Sequence, residues 1–129
     1  MNNLNSVLIE GNLAREPELR YTPKGTPVCT LVLASNRSYK DPERHGERTE
    51  EVSFFETTTW GKLATVCHEH LAKGRGVRVV GRLKQERWED DAGNARSKVV
   101  VIAEQVEFQP RRQESTRQQE LVESAAAAR

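Results

Sequence analysis

Trp60 and Trp88 each close a strand-like run that also carries cations. The first run is Phe54-Phe55-Glu56-Thr57-Thr58-Thr59-Trp60, followed by Gly61-Lys62; the second is Gly81-Arg82-Leu83-Lys84-Gln85-Glu86-Arg87-Trp88. Side chains on a strand alternate between faces. Phe54 therefore shares a face with Trp60, and Arg82 and Lys84 share one with Trp88. Flat π-faces beside cations on a sheet surface have the chemistry to stack unpaired bases and neutralise their phosphates. Tyr39 extends the set of rings, and Arg37, Lys62, Lys73 and Arg87 extend the set of cations. The pattern alone leaves packing and stacking both open for Trp60 and Trp88, whereas Phe55 and Phe108 read as core residues.

Other chemistry is poorly supported. Cys67-His68-Glu69-His70 offers metal-type ligands, but neighbouring positions on a helix point in different directions and a structural zinc site needs about four ligands. Cys29, the other thiol, falls in a buried-looking strand. Cys67 therefore reads as a small core residue and the histidines as solvated, as does His45 in its charged loop. Gly61-Lys62 lacks the upstream glycine and following hydroxyl of a phosphate-binding loop. No Ser/His/Asp or Cys/His arrangement can be assembled. The expectation is a binding protein, not an enzyme, with no cofactor and no metal.

The chain has 129 residues, enough for one compact domain, with 36% hydrophobic and 30% charged residues. The formal net charge is +1, and the stretch 109–129 holds four Arg and three Glu. Removing these from the 20 basic and 19 acidic residues leaves 16 of each, so the remainder is neutral. Any nucleic-acid site must then be a local patch and not a global field. Cys29 and Cys67 have no CxxC spacing and read as two free thiols in a reducing compartment, although two cysteines also allow one disulfide. No signal peptide or membrane-length apolar run is evident, which predicts a soluble cytoplasmic, nucleoid-associated protein.

The positioning elements follow from periodicity. Residues 6–13 predict a first strand with a bulge or bend at Gly11. Pro17, Pro23, Gly25 and Pro27 mark a turn-rich stretch, and 28–34 predict a second strand continuing toward Tyr39. Residues 41–50 read as a long exposed loop, whose mixed charges suit solvation better than phosphate contact, and 52–60 as a third strand. Leu63, Val66, Cys67 and Leu71 fit one helix face, with Gly74 as the stop. Residues 77–88 form a fourth strand, with Val77, Val79, Gly81 and Leu83 on one side. Residues 90–94 mark a hairpin loop and 98–108 a fifth strand. Three strands, a helix and two strands match an all-β, five-stranded Greek-key barrel of the OB type, with its helix between strands three and four. A generic α+β sandwich shares that order.

The opening Asn5-Ser6-Val7-Leu8-Ile9-Glu10-Gly11-Asn12-Leu13, with Pro17-Glu18-Leu19-Arg20-Tyr21 and Gly25, resembles the bacterial single-stranded DNA-binding protein family. So do Leu33-Ala34-Ser35-Asn36-Arg37, Trp60-Gly61-Lys62-Leu63-Ala64, Leu71-Ala72-Lys73-Gly74, Gly81-Arg82-Leu83 and Arg87-Trp88. The resemblance covers residues 4–108 and is specific as a set. It implies an OB-fold domain over 1–109, a homotetramer, and binding of single-stranded DNA without strong sequence preference during replication, recombination and repair. It places Tyr39, Phe54, Trp60 and Trp88 at stacking positions, with Tyr39 and Phe54 where Trp is common and Trp60 where Phe is common. Val7 and Ile9 become candidates for subunit pairing. The tail, 110–129, departs from the family: no acidic run and no terminal Pro-Phe end it, only Gln118-Gln119-Glu120-Leu121-Val122-Glu123-Ser124, four Ala and Arg129. It reads as disordered or partly helical, so tail-mediated recruitment of replication and repair proteins is in doubt. That departure, with the neutral domain, keeps open a second reading: an accessory or primosomal OB-fold protein that mainly bridges partners.

Overall fold

The computed structural model describes residues 1–110. Six strands and one helix follow in order: β1 (Val7–Leu13), β2 (Glu18–Tyr21), β3 (Pro27–Asp41), β4 (Glu47–Trp60), α1 (Lys62–His70), β5 (Gly76–Glu89) and β6 (Ala95–Phe108). The sheet order is β1-β5-β6-β4-β3-β2, and a further β1–β3 pairing closes five of the strands into a barrel. The expected five-stranded OB barrel is therefore observed, with its helix between β4 and β5, the third and fourth barrel strands in sequence-based terms.

Closure depends on β1 changing partners. Val7 to Asn12 pair with β5, while Asn12 and Leu13 pair with Ala34 and Leu33 of β3. The crossing is tight: a Cβ on Gly11 would lie 2.6 Å from the Ala34 carbonyl oxygen. The glycine therefore permits close backbone approach, and β1 runs through it without interruption. The bulge lies elsewhere, in the β5–β6 ladder, where the register shifts between Val80 and Gly81 and leaves Glu104 unpaired. That extra residue changes which β6 positions face inward, from Val101 and Ala103 to Val106 and Phe108. Val77, Val79, Gly81 and Leu83 keep the common side expected of them.

The sealed interior is built from Leu13, Cys29, Leu31, Leu33, Val77, Val79, Val101 and Ala103 of the strands, with Ala64, Cys67 and Leu71 closing one end. Thr57 and Thr59 also point inward, and the Thr59 hydroxyl donates to the Cys29 carbonyl at 2.9 Å. Phe108 packs against this core and beside the His70 ring, as expected. Phe55 does not: it is 38% exposed. It lies two residues from Thr57, where the β4–β6 pairing ends, so the neighbouring strand no longer pairs beside it.

Three further details depart from the sequence reading. The turn-rich stretch holds the short strand β2, paired with β3 from Glu18↔Thr30 to Tyr21↔Pro27. Half of the expected long loop is strand: β3 and β4 pair without a break from Val28↔Trp60 to Asp41↔Glu47, and only 42–46, with the 3-10 turn Pro42–Arg44, remain outside the ladder. Cross-strand pairing thus carries charged residues into a ladder that reaches beyond the barrel. The helix ends at His70, with Leu71 already extended, and Gly74 serves the following turn at φ +91. Among the described residues no helix is long and apolar enough to cross a membrane. The expectations for the tail lie outside the described residues.

Two predictions follow from the core. A Cβ on Gly81 would lie 2.2 Å from the Ile102 carbonyl oxygen, so Gly81→Ala should destabilise the domain by about 2–3 kcal/mol, read as a lowered thermal midpoint. Cys29 and Cys67 are both free and buried, and desolvation, helped by the neighbouring Cys29 sulfur, pushes the Cys67 thiol up to about 12. The raised value stabilises the fold fully below 9.0, the ordinary thiol value, and that contribution is lost as pH rises toward 12. Neither thiol should react with an aromatic disulfide reagent at pH near 8 until the protein is unfolded.

Candidate nucleic-acid interface

Register assigns each ring to a face. On β4, Phe54, Glu56, Thr58 and Trp60 point away from the core, opposite Ala34, Val32, Thr30 and Val28 of β3. On β5, Arg82, Lys84, Glu86 and Trp88 point outward with their partners Ile102, Val100, Lys98 and Arg96 on β6. Two contacts join these halves into one surface. The Lys98 ammonium lies 2.8 Å from a Glu56 carboxylate oxygen, and the same ammonium sits 5.7 Å from the centre of the Trp88 ring. The face therefore runs β3-β4-β6-β5. Its floor is dry: Val28, Thr58, Val100 and Ile102 are buried outside the main core cluster. Above the floor, Phe54 is 64% exposed and Trp60 and Trp88 are each 45% exposed. Rings that stand half-free over a packed floor are held upright and still offer surface for a base.

The Glu56–Lys98 pair is itself weak. The two side chains are 31% and 44% exposed, so solvent screens them and the pair is worth at most about 1 kcal/mol. The Lys98–Trp88 contact adds a cation–π attraction of the exposed kind. The tip beside Trp88 is held by more contacts. The Asp90 carboxylate accepts from the Ala92 and Asn94 amides at 3.0 and 2.9 Å and pairs with the Arg96 guanidinium at 3.0 Å. Those bonds, led by the Asn94 amide and then Arg96, hold the Asp90 carboxyl below its ordinary value. Arg87, Trp88, Glu89, Ala95, Arg96 and Ser97 line a shallow cavity of about 420 Å³ next to this tip.

The sequence-predicted residues divide. Phe54, Trp60, Trp88, Arg82 and Lys84 come together on the outer face. Lys62 opens α1 two residues after Trp60, exposed beside the same end of β4. Tyr39 and Arg37 do not join them: they pair with Thr49 and Glu51, so they lie on the opposite side of the β3–β4 ladder from Phe54. Arg87 alternates to the opposite side of β5 from Trp88 and donates to Gln85 at 2.7 Å. Lys73 lies in the turn after α1, lining a separate cavity of about 670 Å³ with Glu10, Asn12, Arg75 and Gln109. Val7 and Ile9 are half-buried against the barrel's own core, while Leu8 between them is 78% exposed. Cys67 is buried and His68, Glu69 and His70 are exposed; among the described residues no cluster of three metal-type ligands forms.

Arg96 and Lys98 were missed. A signal for them existed: with the hairpin loop at 90–94, Trp88 must face Arg96 and Glu86 must face Lys98. Both cations therefore fall on the ring face by strand geometry alone.

Comparison with known proteins matches the same stretch of chain. The family model described as "Single-strand binding protein family" fits residues 4–109. Single-stranded DNA-binding proteins from Helicobacter hepaticus and Aquifex aeolicus are 41% and 46% identical over 81% and 80% of the chain. One from Deinococcus radiodurans is 44% identical over 81% of the chain. The chain spans 60%, 68% and 34%, respectively, of the Helicobacter, Aquifex and Deinococcus proteins. A deletion variant of the single-stranded DNA binding protein from Thermus aquaticus superimposes with a TM-score of 0.75 at 32% identity, over 86% of this chain and 53% of its own. The Plasmodium falciparum SSB, solved with ssDNA, shares the fold at a TM-score of 0.76 and 21% identity, over 85% and 98% of the two chains. The stretch that matches is the closed barrel that carries the ring face, and on that basis the chain belongs to the single-strand binding protein family.

Proposed function

We propose that this protein binds single-stranded DNA without strong sequence preference, stacking bases on Phe54, Trp60 and Trp88 while Arg82, Lys84, Arg96 and Lys62 meet phosphates. The observation that carries this reading is the continuous outer face on which half-exposed rings and cations stand over a dry floor. Stacking is sequence-tolerant because every base has a π-face; it is worth roughly 1–3 kcal/mol per base in single-strand-binding proteins, the class to which this chain belongs. With an almost neutral chain, the rings must supply much of the affinity and the cations its salt dependence. Tyr39 and Arg37 belong to a second contact region on the far side of the β3–β4 ladder. Arg87 and Lys73 are peripheral. The role in the cell is protection of unpaired DNA in replication, recombination and repair, in the cytoplasm at the nucleoid.

The assembly is a homo-oligomer, in this reading a tetramer. Two features support it. One edge of β1 is open from Val7 to Gly11, with Leu8 exposed upon it, and an open strand edge is a template for pairing with another copy. Val7 and Ile9 then contribute through their backbone, since their side chains face their own core. Phe55, Leu83 and Val99 form an exposed apolar rim, 38%, 46% and 61% accessible, of the kind an interface covers.

Poly-dT should quench tryptophan fluorescence, and quenching should weaken as salt rises. Trp60→Ala and Trp88→Ala should each cost about 1–3 kcal/mol of binding with the domain still folded. Tyr39→Ala should cost less than either. Absence of quenching by folded protein at low salt would refute the proposal; tight protein binding with feeble DNA affinity would favour a bridging accessory role instead. Light scattering with and without oligonucleotide should give a mass near four chains.

A further inference from the structure

Lys98 occupies a special position on the ring face, and so does the carboxylate that holds it. β4 and β6 pair at only two positions, Thr57↔Val101 and Thr58↔Ile102. Toward Phe54 on one strand and Lys98 on the other, no further pairing joins them. Lys98 reaches across from the middle strand of the face, touching Glu56 on β4 and lying over Trp88 on β5. It is the cation between the two halves of the ring face. Glu56, by contrast, is an acid placed where phosphates must pass, on the same side of β4 as Phe54 and Trp60.

Acting on the single-strand-binding reading above, we propose that Lys98 contacts a backbone phosphate between bases stacked on β4 and β5, and that Glu56 is the internal anion which this phosphate displaces. The chemistry is an exchange of one anion for another at the same ammonium. The resident pair is half-solvated and held by a single contact, so it yields readily. Its effect is to pre-position Lys98 beside Trp88 and to lower affinity, because Lys98 is already neutralised in the free protein and Glu56 repels the incoming strand. Glu56 is thus a positioning residue that also sets the strength of binding.

A purely structural role, a clasp across the gap between β4 and β6, makes different predictions, and a cycle of Glu56→Gln, Lys98→Gln and the double variant separates them. Poly-dT binding is titrated across a salt series for each, with thermal unfolding in parallel. Glu56→Gln should bind about fivefold tighter at low salt, since the competing anion is gone. Its salt slope should steepen by about 0.7, the value for one further phosphate neutralised on a single strand. Adding Lys98→Gln should abolish both gains. If Glu56→Gln binds the same with and without Lys98→Gln, while the wild type binds poly-dT, the inference is overturned and the functional reading stands. If Glu56→Gln only lowers the melting temperature and leaves binding unchanged, the pair is a clasp and the inference is overturned. Wild-type protein that does not bind poly-dT overturns the functional reading and this inference together.

Discussion

Everything on this molecule's surface depends on β1 being able to leave β5 and join β3. Without that crossing the sheet stays open, and inward-facing side chains such as Leu31, Leu33 and Val79 lose their enclosure. The crossing needs a backbone that can come within van der Waals contact of the Ala34 carbonyl, and only a residue without a Cβ allows it. Once the strands are closed, period-two alternation commits every second side chain to the interior. The other half is then free of packing duty. A chain with 36% hydrophobic residues can enclose a core in this way and still leave Phe54, Trp60 and Trp88 exposed together on one outer face.

The fold was legible because alternation and helical period are local signals. Val77, Val79 and Gly81 announced their inward side, and Leu63, Val66, Cys67 and Leu71 their helix face. What could not be read locally was cross-strand company. Phe55 looked like core by residue type, but its burial depends on where β6 stops pairing with β4, which is a property of distant residues. The charged stretch from Asp41 to Glu50 looked like loop by composition, but strand pairing takes Asp41 and residues 47–50 into the ladder. Tyr39 and Phe54 were grouped as one platform by type and family resemblance; their separation follows only from the unbroken β3–β4 register. Arg96 and Lys98 show the converse: their position was implicit in the hairpin loop.

The charge balance explains why geometry matters more here than total charge. A neutral protein gains little long-range steering toward a polyanion, so attraction must come from a few cations close to the stacking rings. Arg82, Lys84, Arg96 and Lys98 are concentrated on two neighbouring strands of one face. Some acids elsewhere are paired: Glu10 and Glu107 flank Arg78 and Asp90 holds Arg96. Glu56 stands out because it is the acid on the ring face that engages the cation nearest a tryptophan.

The unbroken register of the β3–β4 ladder has a consequence for the shape of any polymer laid on the protein. Phe54 and Tyr39 project from opposite sides of one thin ribbon. A flexible chain touching both would have to pass around the ribbon's edge, so the two rings form separate contact regions and not one flat platform.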